Sequence, residues 1–160
     1  MSAIEEQSAS GAGQSIQGSG QLSVDEATRD TLPHLRYADA VHAALCAFEV
    51  LPDFLDMGLR VEDLHGPREL YIRLEWLPGH DDLVPDALSK AGLVVRWSHL
   101  AGWSACSGDE VADIDVDELA DPVTVADAAM HAALCGLDCA CEKSPLGRWE
   151  HAVYLDIALA

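Results

Sequence analysis

Residues 69–106 constrain the fold more than any other stretch. From Glu69 to Leu77, Leu70, Ile72, Leu74 and Trp76 alternate with Tyr71, Arg73 and Glu75. A period of two is the pattern of a strand with one buried face. Pro78-Gly79 ends it, and a short helix is predicted over Leu83–Ala91, stopped by Gly92. Leu93–Trp97 and Gly102–Cys106 read as two more strands. Only Ser98-His99-Leu100-Ala101 lies between them, so they form a hairpin. A further alternating piece runs from Val111 to Val116. Such a series commits the chain to an antiparallel sheet whose apolar face must be covered.

Two helices can supply the cover. Leu35, Ala38, Val41, Leu45 and Phe48 recur at helical spacing over Leu32–Phe48, with Thr31 as N-cap and Pro33 close behind. Pro52 and Gly58 read as punctuation after it. A second helix starts at Asp121 with Pro122 in its first turn. It carries Val125, Ala129, Ala132, Ala133 and Leu137 as its stripe, and Gly136 falls near its end. From Trp149 to Leu159, Val153, Leu155, Ile157 and Leu159 alternate with Ala152, Tyr154, Asp156 and Ala158, which predicts a last strand.

The two helices share a string. Ala38-Asp39-Ala40-Val41-His42-Ala43-Ala44-Leu45-Cys46 matches Ala126-Asp127-Ala128-Ala129-Met130-His131-Ala132-Ala133-Leu134-Cys135 with one insertion, and His-Ala-Ala-Leu-Cys is identical. Ile72–Trp76 and Val153–Ile157 are alternating pieces downstream of each. The expected architecture is α+β, with a mostly antiparallel sheet of four to five strands and two main helices on one face. It contains a duplicated helix–strand unit. Two copies are too few for a solenoid. Residues 1–30 are rich in Gly, Ser and Gln and are expected to be a flexible leader. Residues 31–160 are expected to be one domain, and a chain of 17.1 kDa buries roughly 70% of its extended surface.

Charge narrows the function. There are 28 acids against nine bases, a formal net charge of −19. Nucleic acids and anionic membranes require clustered Lys and Arg, which the chain lacks. A basic protein surface would instead be steered toward it. No apolar run approaches the roughly 20 residues of a membrane span. No secretory leader is recognisable. The five cysteines, Cys46, Cys106, Cys135, Cys139 and Cys141, are an odd number and read as reduced thiols in a cytoplasmic protein.

The hairpin Leu93-Val94-Val95-Arg96-Trp97-Ser98-His99-Leu100-Ala101-Gly102-Trp103-Ser104-Ala105 carries Trp, then Gly-Trp after four residues. An acidic stretch and an Asp-Pro-Val-Thr-Val helix follow, and Tyr37-Ala38-Asp39-Ala40-Val41 precedes. Over about residues 34–137 this pattern resembles a group of small actinobacterial domains of unknown function. The resemblance implies a small α+β domain and supplies no catalytic residue.

Two clusters carry candidate chemistry. The first is acidic. Between Arg96 and Lys143 there is no Lys or Arg, while Asp109, Glu110, Asp113, Asp115, Asp117 and Glu118 crowd together. If Val111–Asp117 is extended, Asp113, Asp115 and Asp117 line one face about 6–7 Å apart. That is near the phosphate spacing of one nucleic-acid strand. The row would imitate a nucleic-acid backbone for a basic partner, a nucleic-acid-binding protein above all; the bland reading is a solvated edge strand. Asp113-x-Asp115-x-Asp117 also opens like a calcium loop, but Glu118 and Thr124 stand where Gly and Glu are required.

The second cluster is His131, Cys135, Cys139 and Cys141, suitable donors for zinc. His131 and Cys135 are four apart on one helix face, and Gly136 lets the chain fold back. The spacing is no standard knuckle, and His42/Cys46 repeats it, which favours helix packing. No nucleophile elbow, phosphate loop or dinucleotide fingerprint is present. His99 and Cys106 read as a turn and a strand residue rather than a catalytic pair. Trp76, Trp97, Trp103 and Trp149 read as core rather than as a ligand pocket. The expectation is a small, acidic, non-catalytic interaction protein with no required cofactor. The alternatives are a zinc- or thiol-dependent protein using the second cluster, and a purely structural subunit that uses an exposed face of the Trp-rich sheet; a homo-oligomer is open to each.

Overall fold

The computed structural model describes residues 32–61, 63–139 and 147–159, within a compact unit spanning Leu32–Ala160. The expected leader, Thr31 and Cys141 lie outside the described residues. In chain order the elements are α1 (Leu35–Ala47), β1 (Phe54–Val61), β2 (Arg68–Trp76), α2 (Asp86–Ala91), β3 (Leu93–Ser98), β4 (Gly102–Ser107), β5 (Glu110–Asp113), α3 (Pro122–Cys135) and α4 (Ala152–Leu159). The strands form one antiparallel sheet in the order β1-β2-β3-β4-β5. The chain is therefore an α+β protein.

Register sorts the sheet into two faces. Ile72, Trp97 and Trp103 form one row across β2, β3 and β4, and Leu74, Val95 and Ala105 form the next. All six are buried. The same core takes Tyr37, Val41 and Leu45 from α1 and Val125, Ala126, Ala129 and Ala133 from α3, and the two helices pack on each other. The opposite face stays open and carries the row Asp56, Arg73, Arg96, Ser104 and Asp113. Arg73 and Arg96 oppose each other there, a like-charge pair relieved by Glu75 at 2.7 Å from Arg73.

Tyr37 is the pivot of the buried face. Its ring meets Trp97, Trp103 and Trp149 at 5.8, 6.1 and 4.9 Å. Its hydroxyl donates to Ala120 O at 2.7 Å and accepts from Trp103 Nε1 at 3.1 Å. The four tryptophans thus belong to the core and its margin, as expected.

The structure corrects four expectations. β1 is a strand where the sequence pattern predicts none, since Gly58 reads as punctuation. It lies in an edge strand, and a Cβ there would come within 3.2 Å of the Tyr71 hydroxyl, so the glycine marks a close cross-strand approach. β5 ends at Asp113 rather than Val116. Ile114 N–H still bonds Trp103 O, but Val116 N–H turns back to Ile114 O.

Residues 152–159 are a helix, not a strand. Ala152 and Leu155 are buried and Leu159 packs against the core, a spacing of three and four. Val153 and Ile157 are exposed. With six of these eight residues Ala, Val, Leu or Ile, almost any period can be read into the segment, and its Ala and Leu content favours helix.

The duplicated unit fails with that strand. Its helical half is present twice but in different settings. Leu45 is fully buried in α1, whereas its counterpart Leu134 is 47% exposed in α3. Ala43 is exposed and its counterpart Ala132 buried. The inserted Met130 turns the string by one residue, about 100° around the axis.

Candidate functional site

The acidic segment is built from the core outward. β5 is a sheet edge, joined to β4 through Gly108 at φ +59°. Asp109, Glu110, Asp113, Asp115, Asp117 and Glu118 are all exposed, while Ile114 and Val116 pack against the core. Beyond the strand the backbone is fastened from below. Trp97 Nε1 donates to Glu118 O at 2.6 Å, and Tyr37 donates to Ala120 O. Asp121 N–H bonds Gly147 O, Trp149 N–H bonds Leu119 O, and a bridge pairs Ala120 with Arg148.

The carboxylates differ in what they do. Asp117 Oδ1 accepts from Leu119 N–H at 2.8 Å and lies 3.6 Å from Arg148 Nε. It is committed to shaping the turn. Arg148 also holds Asp156 at 2.8 Å. Because β5 stops at Asp113, the three aspartates do not stand in a row along one strand. They follow an edge that bends after Asp113, with Glu110 opposite Ser107 at one end of β4 and Glu118 beside Gly102 at the other.

The second cluster forms at the other end of α3. Asp121 caps the helix, its Oδ1 accepting from Val123 N–H at 2.9 Å, and Pro122 occupies the first turn. Gly136 terminates it at φ +98°, with its N–H on Ala132 O. Cys139 N–H then bonds Gly136 O, which turns the chain back over the last helical turn. Donor atoms of His131, Cys135 and Cys139 all come within 4.8 Å of one another. Cys139 Sγ is 3.9 Å from His131 Nδ1. Asp127 Oδ2 stands 3.5 Å from His131 Nε2. Sequence reading singled out the three donors but missed Asp127. Its signal was available: Asp127, His131 and Cys135 are successive i+4 neighbours on one face.

Other candidates disperse. His99 Nδ1 accepts from Leu70 N–H at 3.0 Å and so serves the sheet, not Cys106. His34 is fully buried against Trp97, with Nε2 bonded to Tyr71 O at 3.0 Å. Burial lowers its pKa, opposed by that bond. Burial also pushes the Tyr37 phenol well above its ordinary range, keeping it a neutral donor.

Fold and sites together define a small acidic α+β protein with helices over one face of an antiparallel meander. No protein-family model, curated protein or solved structure matches the chain. Among the described residues no helix is long and apolar enough to cross a membrane.

Proposed function

We propose that the protein is a small non-catalytic interaction protein whose acidic sheet edge docks on a basic surface of another protein. A nucleic-acid-binding protein is the favoured class of partner. The supporting observation is the exposed edge around β5, where Glu110 and Asp113 sit on a strand paired to β4, Asp109 precedes them, and Glu118 lies on the following segment that Trp97 and Tyr37 anchor. Among the described residues none of these four forms an ion pair within 4.0 Å. An anchored segment meets a partner with less ordering cost than a loose one. A net charge of −19 adds long-range steering.

The test begins with capture of basic partners from nuclease-treated lysate of the source organism and elution by salt. Association of the purified partner is then measured with the wild type and with an Asp109→Asn, Glu110→Gln, Asp113→Asn, Glu118→Gln variant. Asp117 is left intact because it shapes the turn. Neutralising four edge charges is expected to slow association at low salt by about tenfold or more, with dissociation less affected. Duplex DNA should compete if the partner binds nucleic acid. Equal association rates for a variant of unchanged fold would overturn the reading.

A further inference from the structure

We infer that His131, Cys135 and Cys139 form a zinc site at the C-terminal end of α3, with Asp127 holding the imidazole in place. This inference is independent of the acidic edge. Three observations carry it.

The first is distance. Tetrahedral zinc with bonds of about 2.3 Å to sulfur and 2.0–2.1 Å to nitrogen sets its donors about 3.6–3.8 Å apart. Cys139 Sγ and His131 Nδ1 are already 3.9 Å apart, and the whole set lies within 4.8 Å. Closing on an ion takes side-chain adjustments of about an ångström or less. The second is the tautomer. Asp127 faces Nε2 at 3.5 Å, which favours the proton there and leaves the Nδ1 lone pair toward the thiols. A carboxylate behind a histidine ligand is the usual support of such sites. The third is the helix end. α3 has no basic residue in its last turn, so a cation there is complementary to the partial negative charge of the helix terminus.

Donor chemistry selects the ion. Two thiolates and an imidazole suit zinc and disfavour calcium and magnesium, which require oxygen donors. The three donors among the described residues leave one tetrahedral position for a further ligand. Cys141 lies outside the described residues.

The molecule contains its own control. His42 and Cys46 on α1 have the same four-residue spacing, with Cys46 Sγ 3.9 Å from His42 Nδ1. No third donor joins them in a cluster among the described residues. If helical spacing alone sufficed, this pair would bind as well as the other.

The test uses the full chain, purified under reductant, stripped with a chelator and titrated with zinc against a chromophoric competitor. One equivalent is expected to bind. Cobalt in place of zinc should give thiolate charge-transfer absorption and tetrahedral ligand-field bands. Cys135→Ser and Cys139→Ser should each weaken binding at least as much as Asp127→Asn, itself expected to cost about 10–100-fold. Cys139→His, which restores a zinc donor, should bind more tightly than Cys139→Ser. Cys46→Ser should bind like the wild type. Circular dichroism of the metal-free variants checks that the fold persists. Failure to retain one equivalent, wild-type affinity in Cys139→Ser, or an equal loss in Cys46→Ser would each overturn the site.

Discussion

Tyr37 shows how one hydroxyl can organise a small core. Tyr37→Phe removes a donor to Ala120 O and an acceptor for Trp103 Nε1 while leaving the ring in place. A buried polar group left unpaired costs about 1–3 kcal/mol, so the urea midpoint should fall by that equivalent with little change in slope. Trp103→Phe in the same background should cost less than it does alone, because the two groups are one network. The helical stripe made Tyr37 legible as a helix residue. It could not show the hydrogen bonds, because Ala120 and Trp103 lie 83 and 66 positions away.

His34 carries a pH dependence. Burial lowers its folded pKa below the ordinary 6.5, so the unfolded chain takes up its proton first. Its contribution is complete above about pH 6.5 and is lost as pH falls below that value. Stability should therefore drop more steeply for the wild type than for His34→Gln between about pH 7.5 and pH 5.5. Parallel curves would show that His34 is not responsible.

At the scale of elements, alternation was a sound guide where a polar set interrupted an apolar one. β2 alternates buried apolar groups with Tyr71, Arg73 and Glu75, β3 and β4 turn Val95, Trp97, Trp103 and Ala105 inward, and the structure places all three strands within a residue of expectation. α4 offers no such contrast. A helix makes a specific demand there: Leu155 is buried and Ile157 is 69% exposed, although a strand would put both on one face. Leu155→Ala should cost about 2–4 kcal/mol, and Ile157→Ala less than about 0.5 kcal/mol. Equal losses in thermal or urea unfolding would restore the strand. At the start of α3, where cap chemistry was legible, Asp121→Ala should cost about 0.5–2 kcal/mol and Asp121→Ser much less, read by urea unfolding.

For the whole molecule, charge and sites were legible to different depths. The acidic edge is visible in sequence because composition needs no geometry. Its shape is not, since the chain turns at Ile114–Val116 and Asp117 is drawn to Leu119 and Arg148. The donors of the second cluster were visible as types, but their convergence depends on the turn after Gly136. The repeated string was misleading in a useful way, because one inserted residue gave identical side chains different surroundings.

The bond from Tyr37 to Ala120 also sets an order of events. α1 leaves the ribosome well before most of the surface that will cover it, and its hydroxyl partner follows 83 residues later. At synthesis rates of about 5–20 residues per second, that is a wait of roughly 4–17 seconds. During this interval the stripe of Tyr37, Val41 and Leu45 has only fragments of sheet to rest on. Closure of the core, and with it the fastening of the acidic edge, is therefore a late step of biosynthesis. A nascent chain halted before Ala120 should remain sensitive to protease within α1, and one extended past Trp149 should not.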